Sequence, residues 1–208
     1  MKTYFHISSS NCEWKIGDEI HIGLEDNYYW KTFVDRGESI EIQGEKHDVY
    51  KITRTAFEAY TEMHPPPLKM DGYHFKPLNT LKEAIDSLGN TIKLNRELAF
   101  ESFRKEFYPE LPSRLRCIWL IPGHENALHF WNNTLNKGQQ KRVFKVTVEG
   151  NIHRAAHKWL IGGTFSINEW NKLAHNYWKG VSSGNIDDEI LFEGRMKIIE
   201  EITLYNTK

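Results

Sequence analysis

The sequence predicts an α+β fold, on three observations. Apolar and aromatic strand-like runs lie near both ends, TYFHIS at residues 3–8 and EILFEGRMKIIEEITLYN beyond residue 188. Helical patterns collect in the middle of the chain. Strands and helices do not alternate, which argues against a dinucleotide-binding parallel sheet. With 208 residues, 39% of them hydrophobic and 13% aromatic, the chain can bury its own core. It reads as a single domain, 1–208, with a helical insertion at about 54–110.

Each element has a local reason. Residues 3–8 form a first strand, and WKIGDEIHIG, punctuated by Gly17 and Gly23, turns into a short second one. Tyr28, Tyr29 and Trp30 follow in a mixed stretch, where they serve core packing or cover a site. ITRTAFEAYTEM reads as a helix stopped by Pro65, Pro66 and Pro67. NTLKEAIDSLG has a cap at Asn79 or Thr80 and a terminal Gly89. NRELAFESFRKEFY is a further helix, with Leu98, Phe100, Phe103 and Phe107 as its apolar stripe, ended by Pro109. On that helix Glu97, Glu101, Arg104 and Lys105 read as a solvated, ion-paired face. LRCIWLIP is a strand, HENALHFWNNTLN a helix, and KRVFKVTVEG an alternating strand after a turn at Gly138. NEWNKLAHNYWKG is a helix ended by Gly180, and EILFEGRMKIIEEITLYN supplies two more strands.

Composition removes several function classes. A net charge of −1 gives no global attraction to nucleic acid or anionic membrane. The basic turn carrying Lys137, Lys141 and Arg142 reads as a solvated hairpin end. Cys12 and Cys117 alone make no disulfide scaffold, and no run approaches the ~18 apolar residues of a membrane span. A soluble, cytoplasmic protein is expected. No metal site is expected either. His124 and His129 are five apart, about 140° round a helix, and cannot share an ion. His153 and His157 have helical spacing but no evident third ligand. Nucleophile-elbow and phosphate-loop motifs are absent.

Three chemistry-bearing residues remain. His6 ends an aromatic strand and is followed by Ile7 and Ser8, whose backbone can offer an N–H and a C=O. Trp119 lies on a strand that leads into a helix, where a ring can stack on a planar heterocycle. Glu189 opens a strand near the C-terminus. Each alone is better explained by capping, core packing or a strand edge.

Their order is more specific. FHISSSN, CIWLIPGHENALHFW, RVFKVTVEG and EILFEGRMKI together resemble the ADP-ribosyltransferase superfamily. The first three segments and IGDEI are similar to the rifampin ADP-ribosyltransferases. The strand-opening glutamate is similar to the last motif of poly(ADP-ribose) polymerases and DarT toxins. The resemblance covers residues 4–22, 113–150 and 187–198. It implies a split, strongly bent β-sheet and transfer of ADP-ribose from NAD, with release of nicotinamide. The acceptor would be a protein, a nucleic acid or a small molecule, and the resemblance also implies room for an antitoxin or regulatory partner.

Residue by residue, the resemblance implies that His6 binds the nicotinamide-side ribose, that the Ile7 backbone receives the carboxamide, and that Ser8 assists. Trp119 stands where the family has a stacking tyrosine. Glu189 would bind the ribose 2′-hydroxyl and stabilise the oxocarbenium-like state. Arg114, with Ser113 beside it, would hold the pyrophosphate, an ordinary salt bridge being the other reading of that arginine. The acidic residue that the rifampin enzymes carry after the VEG-like strand is missing from NIHRAAH. A catalytically inert member that binds a nucleotide or a partner in the same cleft is therefore the alternative. A nucleic-acid-binding module, and a 2′-phosphotransferase on the same fold, are further readings.

Overall fold

Strands from the two ends and the middle of the chain meet in one five-stranded antiparallel sheet. The structure is a computed structural model and describes residues 2–34, 39–42, 45–48, 53–54, 69–70, 73–74, 77–135, 141–163, 165–181 and 188–203. Contacts divide the chain into two units, 1–31 with 96–208, and 32–95.

In the first unit, β1 (Thr3–Ser9), β2 (Glu19–Ile22), β7 (Ile118–Pro122), β8 (Lys141–Ala156) and β9 (Asp188–Ile202) are ordered β2-β9-β7-β1-β8, and β8 pairs back onto β9. Four strands thus close on themselves, with β2 added along β9. Helices α3 (Glu125–Leu135) and α4 (Ile167–Trp178) belong to the same unit. The second unit holds the hairpins β3 (Ser39–Ile42) with β4 (Glu45–Asp48) and β5 (Lys69–Met70) with β6 (Tyr73–His74). Two helices cross the unit boundary along the chain, α1 (Tyr28–Val34) and α2 (Pro77–Phe107).

Strand alternation builds the core. Tyr4, Leu120, Phe144, Val146, Phe192 and Met196 form one buried cluster. The intervening residues Phe5, Ile121 and Val143 join Ala127, Leu128 and Trp131 of α3 in another. Period two therefore gives β1, β7 and β8 two buried faces, one toward the cluster shared with β9 and one toward α3.

Several expectations are corrected. The chain does not break at Gly89: α2 runs through it for 31 residues. A glycine in a helix interior costs about 1 kcal/mol against alanine without stopping the helix. The stripe of Leu98, Phe100, Phe103 and Phe107 is not the buried face, since Leu98 and Phe107 are exposed. Glu97, Phe100, Glu101 and Arg104, at the i, i+3, i+4, i+7 spacing, are buried instead. The two strands expected at the C-terminus are one 15-residue strand, β9. The alternating strand KRVFKVTVEG continues through NIHRAA as β8. Of ITRTAFEAYTEM only Thr53 and Arg54, both helical, are described; the remainder, the prolines 65–67 and the turn at Gly138 lie outside the described residues.

β8 and β9 pair from Val143 to Ala156, with one register shift between Lys145 and Val146, and near the middle of the pairing Gly150 faces Gly194. Both have positive φ, 153° and 140°. A Cβ on Gly150 would strike the Glu193 carbonyl, and one on Gly194 the Glu149 carbonyl. Backbone cannot yield as a flexible side chain can. Gly150→Ala and Gly194→Ala are each expected to cost about 1–3 kcal/mol in urea denaturation, from backbone strain plus contact.

Candidate functional site

The site lies where β1 and β7 part. They pair at only two registers, Tyr4↔Pro122 and Phe5↔Ile121. Beyond these, β1 continues along β8 to Ser9, while β7 lies on β9 at Ile118–Leu120. His6 stands at the divergence, its Nδ1 donating to the Trp119 carbonyl across 2.9 Å. A carbonyl can only accept, so Nδ1 carries the proton and Nε2 of the neutral ring is left as an acceptor. Burial pushes the imidazole down to about 4, more than the Trp119 carbonyl raises it. Trp14 stacks at a tilt on His6, with ring centroids 5.4 Å apart.

A cavity of about 350 Å³ opens here, with His6, Trp119 and Glu189 all in its wall. Ile7, Leu120, Ile121, Trp131 and Leu160 make much of the remaining wall apolar, and Tyr29, Arg96 and Arg114 add polar groups. Tyr29 meets Trp119 edge-on, with centroids 5.8 Å apart. An apolar chamber with a few convergent polar groups suits a flat, partly polar small molecule.

Glu189 is held on one side by a buried ionic network. It is 7% exposed, Arg114 is 3% and Glu97 is 1%. The Arg114 guanidinium donates through Nε to Glu97 Oε2 at 2.7 Å and through Nη1 to Glu189 Oε1. The Tyr177 hydroxyl donates to that same Glu189 oxygen. Glu189 stands in the cavity wall, and its Oε2 has no hydrogen-bond partner among the described residues. Burial alone would raise the Glu97 carboxyl, but Arg114 and then Arg96 hold it below its ordinary value. Burial likewise opposes the Arg114 charge, and Glu189 and Glu97 outweigh it, so Arg114 stays protonated. Burial pushes the Tyr177 hydroxyl well up, so it is a permanent donor. Tyr177 is itself fixed: its carbonyl accepts from His153 Nε2 at 2.9 Å, and its ring packs on Phe100.

The residues singled out from sequence therefore divide. His6, Ile7, Trp119, Glu189 and Arg114 line the one cavity. Ser8 lines a second, larger groove of about 880 Å³, which shares His6, Ile7, Tyr29 and Trp119 with the first. Ser113 lines neither: it is 1% exposed, and its hydroxyl donates to Glu101 Oε2 at 3.0 Å. Arg114 reaches the cavity with its guanidinium already on two carboxylates, which is the salt-bridge reading of that residue. A pyrophosphate there would have to displace one of them.

Glu97, Glu101 and Arg104, read as a solvated face, are buried; this is the largest correction at the site. Arg104 chelates Glu101 through two nitrogens and donates to the carbonyls of Pro109 and Leu111. Part of the signal was present, since Glu97 lies three residues before Phe100 and so on its face of the helix, with Glu101 one turn beyond Glu97. Tyr177 was missed because it lies in an ordinary amphipathic helix. Among the described residues no group of three or more His, Cys, Asp or Glu side chains could hold a metal ion. His124 instead caps α3, its Nδ1 accepting from the Ala127 N–H at 3.2 Å.

The neutral His6 predicts a pH dependence. Its folded value lies below the unfolded one, so the unfolded chain binds a proton first as pH falls. Stability is then unaffected above pH 6.5 and declines between 6.5 and about 4. Urea denaturation at pH 7 and pH 4.5 is expected to differ by up to about 3 kcal/mol from this group. His6→Gln is expected to flatten that part of the profile; an unchanged slope would remove His6 as its cause.

No helix among the described residues is long and apolar enough to cross a membrane. No curated protein matches the chain. The family model described as "Protein of unknown function (DUF2441)" matches residues 4–204, and the chain belongs to that family.

Proposed function

We propose that the protein is an NAD-dependent mono-ADP-ribosyltransferase with a split, bent sheet of the ADP-ribosyltransferase kind. One observation carries the reading: His6, Trp119 and Glu189, far apart in sequence and chosen by motif order, line the same cavity. The nicotinamide ring stacks on Trp119 in the apolar chamber. His6 Nε2 accepts from a hydroxyl of the adjoining ribose. Glu189 Oε2 accepts from the 2′-hydroxyl and faces the positive charge that develops at C1′. The C1′–N bond breaks, and nicotinamide leaves with the electron pair as a neutral base. An acceptor O–H or N–H then forms the new bond to C1′ and gives its proton to water. Catalysis of this kind is mainly positioning and electrostatics.

A second reading has its own support. Arg114 offsets the charge of Glu189, which weakens the field at C1′. A member that binds a nucleotide without cleaving it would tolerate that. Incubation with NAD, alone and with cell lysate, separates the two. Free nicotinamide and a mass gain of ADP-ribose, both lost in His6→Ala, are expected of the transferase. NAD binding without nicotinamide release would establish the inert binder.

A further inference from the structure

The second groove has a chemistry different from the apolar chamber. Two basic side chains, Arg116 and Lys141, line it together with the imidazoles of His6 and His21 and a single carboxylate, Glu25. Glu25 is paired with Lys31 at 3.3 Å. Arg116 and Lys141 have no ion-pair partner among the described residues. Lys141 pairs in register with Ser9, the last residue of β1, and Arg116 immediately precedes Cys117 and β7. The two cations thus come from the turn before β7 and from the start of β8, beside the end of β1. The groove also carries aromatic surface. Trp14 lines it, and Tyr28 stands at it 80% exposed. A tyrosine held that far into water has an unused face.

We propose that this groove holds single-stranded nucleic acid, with backbone phosphates on Arg116 and Lys141 and a base stacked on Tyr28. Cations that follow a backbone, and aromatic faces for unstacked bases, are the two elements of single-strand binding. A duplex offers no unstacked base, and the net charge of −1 supplies no general pull, so the binding is local. The groove and the Glu189 cavity share His6, Ile7, Tyr29 and Trp119 as a common wall. Resting on the transferase reading, the strand is then the ADP-ribose acceptor, presented from the groove side.

The binding can be tested without NAD, so it fails or stands apart from the transferase reading. Fluorescently labelled oligo(dT) and oligo(rU) would be titrated at a series of salt concentrations. Salt-dependent binding is expected, with the slope of log K against log salt shallower by about 0.7 for each cation removed in Arg116→Ala and Lys141→Ala. Tyr28→Ala should weaken binding roughly ten-fold with the slope unchanged. Arg116→Lys, which keeps the charge on an exposed side chain, should retain the slope. Absence of binding to both oligonucleotides, or binding indifferent to all three alanine variants, would overturn the proposal. So would ADP-ribose incorporated from NAD into lysate protein with none in either oligonucleotide.

Discussion

Arg114→Ala is expected to lower stability by about 3–5 kcal/mol, enough to unfold many domains of this size. The guanidinium is the shared counter-ion of Glu97 and Glu189, both nearly out of solvent. Removing it leaves Glu189 buried with the Tyr177 hydroxyl but no counter-ion, and Glu97 with Arg96 alone, and the penalty of an orphaned buried charge exceeds the net worth of the pair. The same argument predicts a rescue. Arg114→Met combined with Glu97→Gln and Glu189→Gln removes all three charges, and should recover most of the lost stability. Urea midpoints of the single and triple variants would show it. Triple-variant stability no better than Arg114→Ala would mean the arginine acts by packing, through its contacts with the Tyr177 and Trp119 rings, and not by charge.

Glu189→Gln is expected to reduce nicotinamide release from NAD by roughly 10²–10³-fold, the scale for losing one preorganised electrostatic group. The fold should survive, because Glu97 remains beside Arg114 at 2.7 Å and the glutamine carbonyl can still accept from Tyr177. Binding of NAD should change far less than turnover, since the charge matters chiefly as the glycosidic bond breaks. A variant that releases nicotinamide at the wild-type rate would remove Glu189 from the mechanism. Tyr177→Phe tests the support of that residue: it leaves the carboxylate in place and takes away one of its two donors. A several-fold loss of turnover with little change in NAD affinity is expected.

The outline of the sheet was legible because its signals are local. Alternation at residues 143–148 and the aromatic start of the chain mark strands whichever partners they find. The pairing of the two long strands β8 and β9 was not legible, because Gly150 and Gly194 act only as a facing pair, 44 residues apart in sequence. Read singly, each looks like a strand terminator. The site divides in the same way. His6, Trp119 and Glu189 were found through the order of short motifs. Glu97 was set aside because a glutamate four residues from another, with basic neighbours, usually faces water. What overrides that expectation is tertiary: Arg114, from the segment before β7, arrives beside the helix and makes a buried glutamate affordable. The neutral state of His6 was equally beyond the sequence, since it comes from burial by strands distant in the chain, which outweighs the hydrogen bond to a backbone carbonyl 113 residues away.

The most direct test of the shared cavity is a crystal structure of the Glu189→Gln protein with NAD. The account predicts the nicotinamide ring against Trp119 and a ribose hydroxyl within hydrogen-bond distance of His6 Nε2. A dinucleotide bound elsewhere, or a cavity that stays empty at saturating NAD, would contradict it.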